Sequence, residues 1–303
     1  MLQRLLILDY GSNSLRWLIA ERLEGASLAV LRTGGATTRL GTPAPNGRID
    51  PAAVERALQA TEAAMEQADG VTKIIALATH FARRLPGVEL LVEALHERHG
   101  LKLAILSEQN EAYLTRMGIE EGLRDLGREP KPFLSFDVGG GSTEFSWWLG
   151  PGLAHRSLPL GAISLTERFQ EKREPLRKHL LKELDSLPLP EDAPLVASGG
   201  TATTLAFLDS GLTEYRPLLI QGAVLKRGKL EGLIDELAEL TLEERRQRLA
   251  PDERRGEIIV AGAEVVLSVM ELTGAEELLV SDYDLKHGAA LVLNEDNPAI
   301  LEE

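Results

Sequence analysis

The chain has 303 residues, 44% hydrophobic and 26% charged, which is enough apolar material for one large or two medium cores. Its formal net charge of −14 argues against diffuse binding to nucleic acid, which needs a basic face, but allows a focused anion site of amides, arginines and a divalent cation. The absence of cysteine excludes a disulfide framework, a thiolate metal site and a cysteine nucleophile.

The opening run LLILDYGSNS is too quickly interrupted for a secretory signal and predicts a first strand ending at Asp9, a turn through Gly11, Ser12, Asn13 and Ser14, and a second strand from Leu15 to Ala20. Asp50 is the expected cap, and Pro51 the first position, of a helix over Pro51–Ala68. A short buried strand follows at Lys73–Ala78, then a helix at Glu89–His99 closed by Gly100, the strand LKLAIL, and a helix over Ser107–Leu123. The charged, proline-containing stretch Arg124–Pro132 marks a domain boundary just before it, near Gly118–Gly122.

The second half restarts with the same design. FLSFDVGGGSTEFSWW predicts a strand ending at Asp137, a turn through Gly139, Gly140, Gly141, Ser142 and Thr143, and a strand from Glu144 to Trp148. Trp147 and Trp148 then point to opposite faces, one into the core. LVASGG is a strand running into a glycine turn, TATTLAFL a helix, Lys229–Leu240 and Glu253–Thr273 helical, ELLVSD a strand, and a short helix ends the chain. Strands alternating with helices imply an α/β fold. No apolar stretch reaches the length of a membrane span, and the expectation is a cytoplasmic protein.

In both turns an Asp ends the first strand, a Gly follows two positions later, and a Ser stands five positions after the Asp. Small-residue turns let successive N–H groups face an anion, and a neighbouring carboxylate can hold a hard cation. Either turn alone is also what a tight hairpin needs; a matched pair points to phosphate and metal. Neither is a P-loop, since no G-x-x-x-x-G-K-[ST] occurs, and neither is a dinucleotide fingerprint, since both run from strand to strand.

The duplicated Asp–Gly turn resembles the actin/hexokinase/Hsp70 superfamily. Within it, DYGSNSLR, FDVGGGSTE, SLPLGAISLTERF, ASGGTATTLA, RRGEIIVAGA and SDYDLKHG resemble, in order, segments of the exopolyphosphatase / guanosine pentaphosphate phosphatase (Ppx/GppA) family. The resemblance runs from about residue 5 to about residue 293. It implies two ribonuclease-H-like (actin-like ATPase) domains with an active-site cleft between them: residues 1–120, completed by a C-terminal helix over 290–303, and residues 121–289.

The resemblance also implies a Mg²⁺-dependent hydrolase that releases terminal phosphate from inorganic polyphosphate, or alternatively from guanosine pentaphosphate. A binding regulator of polyphosphate or alarmone with weak turnover is a further alternative. The segment Ser107–Ala112 stands where the family carries its catalytic carboxylate, which places Glu111 as the base activating water. Arg83 in ATHFAR takes the place of the family's phosphate-binding arginine, beside Arg16 and the two turns. Asp9, Asp137 and Glu144 are the implied metal ligands, and Ser198, Gly199, Gly200 and Thr201 stand where superfamily relatives contact a nucleoside.

The chain departs from the family pattern at Glu108, at Asn110 before Glu111, at His80 and Phe81, at Gly87, and at Lys286 and His287. These changes surround the implied phosphate path and so bear on substrate choice. The family's long C-terminal helical extension is not seen in the sequence, which favours a short polyphosphate or a nucleotide. The expected partners are therefore polyphosphate or guanosine penta/tetraphosphate, with no nucleic acid and no membrane. The acidic surface does not specify an oligomer, and a homodimer stays open.

Overall fold

The computed structural model describes residues 3–22, 27–128, 132–150, 152–170, 172–187, 193–249 and 253–292. The chain forms two compact units, Met1–Glu121 with Asp284–Glu303, and Gly122–Tyr283. In the first, β1 (Gln3–Tyr10), β2 (Ser14–Arg22), β3 (Leu28–Thr37), β4 (Lys73–Ala78) and β5 (Leu103–Ile105) lie in the order β3-β2-β1-β4-β5. β1, β4 and β5 are parallel, while β2 and β3 extend β1 as an antiparallel meander.

β1 shows why this sequence makes a central strand. Leu5, Leu6, Ile7 and Leu8 are all fully buried, because alternate side chains serve opposite faces of the sheet. Leu6 and Leu8 pack with residues of the helices Pro51–Glu66 and Glu89–His99, whereas Leu5 and Ile7 pack with Leu114, Leu285 and Ala289. The first of these helices is capped as expected, Ala52 N–H donating to Asp50 Oδ1 at 3.0 Å, and Gly100 closes the second in a left-handed conformation.

The second unit repeats the plan. β6 (Leu134–Val138), β7 (Thr143–Leu149), β8 (Gly152–Leu158), β9 (Leu195–Ser198), β10 (Val224–Lys226) and β11 (Glu277–Val280) lie in the order β10-β11-β9-β6-β7-β8. β6, β7 and β8 form the meander; β6, β9 and β11 are parallel. The helix Ile259–Thr273, buried on all sides from Ile259 to Met270, anchors the core. Trp147 joins that core and Trp148 is half-buried, as strand alternation requires.

Two helices differ from expectation. The helix expected over Glu253–Thr273 is broken: a 3₁₀ turn at Glu253–Glu257 precedes the helix from Ile259, and Gly256 packs against the backbone of Arg246. The C-terminal helix spans Leu285–Val292, because Asp284 caps it through a 3.1 Å bond accepted from Lys286 N–H. The remainder of the expected 290–303 helix lies outside the described residues. Among the described residues, no helix is long and apolar enough to cross a membrane.

Candidate active site

In each unit the sequence-predicted residues cluster where parallel strands end. In the first, the turn at Gly11–Ser14 follows β1, Arg83 sits on the short helix His80–Arg84 after β4, and Glu111 sits on the helix Glu108–Asp125 after β5. In the second, the turn at Gly139–Ser142 follows β6, and Ser198–Thr201 form the end of β9 and the start of the next helix. The carboxyl ends of parallel strands are where open α/β sheets bind ligands.

The two turns are built alike. Each is a loop closed by strand partners, Tyr10 with Leu15 and Val138 with Thr143, and each places an Asp opposite a charged residue, Asp9 with Arg16 and Asp137 with Glu144. Gly11 N–H donates to Ser14 O at 3.0 Å, and Gly139 N–H donates to Ser142 O at 2.9 Å.

A neighbouring segment then takes up the turn carbonyls. Ser12 O accepts from Gly41 N–H at 2.8 Å, and Asn13 O accepts from Thr38 and Arg39. Gly139 O accepts from Ala162 N–H at 2.8 Å, and Gly140 O accepts from Ile163 N–H at 2.9 Å. With these carbonyls occupied by neighbouring N–H donors, the small-residue turns can offer successive amides to an anion.

This support requires close approach. A Cβ on Gly161 would fall 2.3 Å from Gly140 O and from Gly141 C, backbone atoms that cannot swing aside. Gly161→Ala is therefore expected to destabilise the fold by roughly 1–3 kcal/mol and to displace the second turn. A denaturant melt beside an activity assay checks both effects.

In the first unit, Arg83 and Glu111 meet directly. Arg83 Nη1 donates to Glu111 Oε2 and to Leu106 O, each at 2.7 Å, tying the residue after β4 to the segment after β5. Both side chains are largely buried, at 18% and 11% exposure, so the pair is held in one geometry. Arg83 Nη2 is buried, makes no hydrogen bond among the described residues, and lies 3.9 Å from Glu108 Oε1. Ser107 supports the start of the helix by accepting from Asn110 N–H at 3.2 Å. His80 stands on the same short helix as Arg83, and burial, then Arg84 and Arg83, hold its imidazole below the usual range. It is therefore a neutral group near neutral pH.

In the second unit, Asp137 and Glu144 are strand partners at the base of the turn. Glu144 Oε1 accepts from Ser157 Oγ at 3.1 Å and from Ser142 Oγ. The Thr143 hydroxyl is buried and donates to Leu160 O at 2.7 Å. Gly199 has φ +78° and lies so close to Asp137 that a Cβ would meet Asp137 Oδ1 at 2.1 Å. Thr201 Oγ1 donates to Val138 O at 3.1 Å, whereas the buried Ser198 hydroxyl has no hydrogen-bond partner among the described residues. Asp9 belongs to the first unit, and no group of three or more His, Cys, Asp or Glu able to hold a metal occurs among the described residues.

Sequence reading passed over Asp284. It is buried and ion-paired to Lys286 and, at 3.7 Å, to Arg16. Its signal lay in SDYDLKHG, where an acid immediately before an apolar helix start reads as a cap. The buttressing of the turns by Thr38–Gly41 and Gly161–Ser164 was not legible either, since it rests on contacts distant in sequence.

Two α/β units, each with a small-residue turn at the carboxyl edge of its sheet, define a two-domain actin-like fold. The Ppx/GppA phosphatase family model matches residues 18–295, and the chain belongs to that family. The solved structure of the Aquifex aeolicus family member is 30% identical with a TM-score of 0.80, covering 96% of this chain and 97% of that one. Exopolyphosphatase 2 of Mycobacterium tuberculosis is 27% identical over 319 residues, covering 96% of this chain and 99% of that protein. An exopolyphosphatase structure from Cytophaga hutchinsonii, 23% identical with a TM-score of 0.79, shares the fold and covers 95% of this chain and 98% of that one. The chain is a phosphoanhydride hydrolase.

Proposed function

We propose that the protein releases terminal phosphate from inorganic polyphosphate, with Glu111 as the base that orients and deprotonates the attacking water. The observation that carries this reading is the buried Arg83–Glu111 pair at the carboxyl edge of the first sheet. A carboxylate held in place by an arginine can orient and deprotonate a water, and the arginine beside it can face the phosphoryl group under attack. Arg16, Arg83 and Lys286, all in the first unit, supply the local positive charge that an overall charge of −14 does not. The turn amides of Ser12 and Asn13 in the first unit take phosphate oxygens in this account, and those of Gly140 and Gly141 are the like group in the second unit.

Asp137 and Glu144 suit a hard divalent cation such as Mg²⁺. They are two carboxylates in register with hydroxyls beside one of them, and the chain has no cysteine to offer a thiolate. Mg²⁺ is usually held by one or two carboxylates completed by water and substrate phosphates, which fits the absence of a larger ligand cluster among the described residues. Bound there, the ion would neutralise charge on the phosphate chain. The residues do the rest: amides and arginines hold the chain, and Glu111 takes the proton.

A second reading, hydrolysis of guanosine pentaphosphate, is favoured by Ser198, whose buried hydroxyl has no hydrogen-bond partner among the described residues and lies in the segment that would meet a nucleoside. Under either reading we propose a cytoplasmic protein.

One assay separates the readings: Mg²⁺-dependent phosphate release from tripolyphosphate, long polyphosphate and guanosine pentaphosphate. Faster release from polyphosphate supports the first reading, and faster release from the nucleotide supports the second. Tight binding with no release from any of them would mark a regulator and overturn both.

A further inference from the structure

We propose that Asp284 is a positioning residue that holds Arg16 and Lys286 in place for the phosphate chain; this rests on the phosphate-hydrolase reading above. Three features of the first unit fix Asp284, two at its carboxylate and one at its backbone. Oδ2 takes the ammonium of Lys286 and lies 3.7 Å from Arg16 Nη1, in the strand directly after the first turn. Oδ1 accepts Lys286 N–H at 3.1 Å and lies 3.2 Å from His287 Nδ1. Its backbone is wedged against the helix that carries Glu111, since a Cβ on Gly118 would fall 2.1 Å from Asp284 O.

Asp284 is 5% exposed and Lys286 is also 5% exposed, so neither can relax into solvent. Burial alone would raise the Asp284 carboxyl. The Lys286 ammonium, the His287 hydrogen bond and Arg16 outweigh it and hold the group well below the usual carboxylate range. One permanent anion therefore fixes two long cationic side chains that would otherwise pay rotamer entropy to meet a substrate.

The sign of one substitution separates positioning from simple charge. Removing a carboxylate beside a polyanion site should, on Coulombic grounds alone, tighten the polyanion. Removing an anchor should loosen it. Asp284→Asn keeps an oxygen that can cap Lys286 N–H, so the helix start is retained. Because it leaves Lys286 buried without a counter-charge, Lys286→Met and the double variant Asp284→Asn/Lys286→Met accompany it, each with a melting curve.

Tripolyphosphate binding by calorimetry and Mg²⁺-dependent phosphate release are measured on all four proteins. We expect the double variant to melt near Lys286→Met yet to bind tripolyphosphate roughly tenfold more weakly, with KM rising more than kcat falls. Equal or tighter binding in the double variant overturns the inference. Wild-type binding without release, with the same loss in the double variant, supports Asp284 and overturns the hydrolase reading alone. Neither binding nor release by the wild type overturns both.

Discussion

Replacing Glu111 by Gln is expected to slow phosphate release by about 10³-fold while leaving tripolyphosphate binding within a few fold of wild type. The amide is nearly isosteric and can still accept a hydrogen bond from Arg83 Nη1, so the 2.7 Å contact that ties Arg83 to the helix Glu108–Asp125 has a replacement. What the amide cannot do is accept the proton of an attacking water. The effect should therefore fall on kcat, with KM little changed. Glu111→Ala would add a different loss, because it leaves a buried arginine without its carboxylate partner. The two variants should share the loss of turnover and differ in stability, which melting curves resolve.

Replacing Asp137 by Asn is the second large effect. Asp137 lies one residue before the end of β6, pairs in register with Glu144, and has Gly199 pressed against its carboxylate. The substitution preserves shape, so the fold should persist. It removes one of two hard oxygen anions from the proposed cation position, which weakens divalent-ion binding and the neutralisation of phosphate charge. We expect activity at limiting Mg²⁺ to fall by about 10²-fold and to recover in part as the Mg²⁺ concentration rises. A Mg²⁺ titration of phosphate release checks this; an unchanged titration midpoint would remove Asp137 from the metal position.

Much of this arrangement was readable in the chain. The two turns announce themselves because glycine and serine after a strand-ending aspartate have few other uses, and the structure gives them the same closing hydrogen bond, Gly11 to Ser14 and Gly139 to Ser142. The strand Lys73–Ala78 and the helix Glu89–His99 were legible to the residue, because an apolar run and a glycine stop fix their limits locally. Other features depend on partners far away in sequence. β3 is largely exposed and its apolar run stops at Leu31, so the rest of the strand exists by pairing with β2. Arg83 and Glu111 were each identified from their surrounding words, but their contact follows from β4 and β5 lying side by side. Asp284 was hidden for the same reason, since Arg16 reaches it from the other end of the chain.

The central claim is that water, deprotonated at Glu111, attacks the terminal phosphoryl group of a phosphate chain. Hydrolysis of tripolyphosphate in ¹⁸O-water tests it most directly, because the attacking oxygen stays on the phosphorus it attacks. Attack at the terminal phosphorus predicts ¹⁸O in the released orthophosphate, unlabelled pyrophosphate beside it, and no label incorporated at a comparable rate by Glu111→Gln. Label appearing in pyrophosphate, or incorporation by Glu111→Gln at the wild-type rate, would contradict the account.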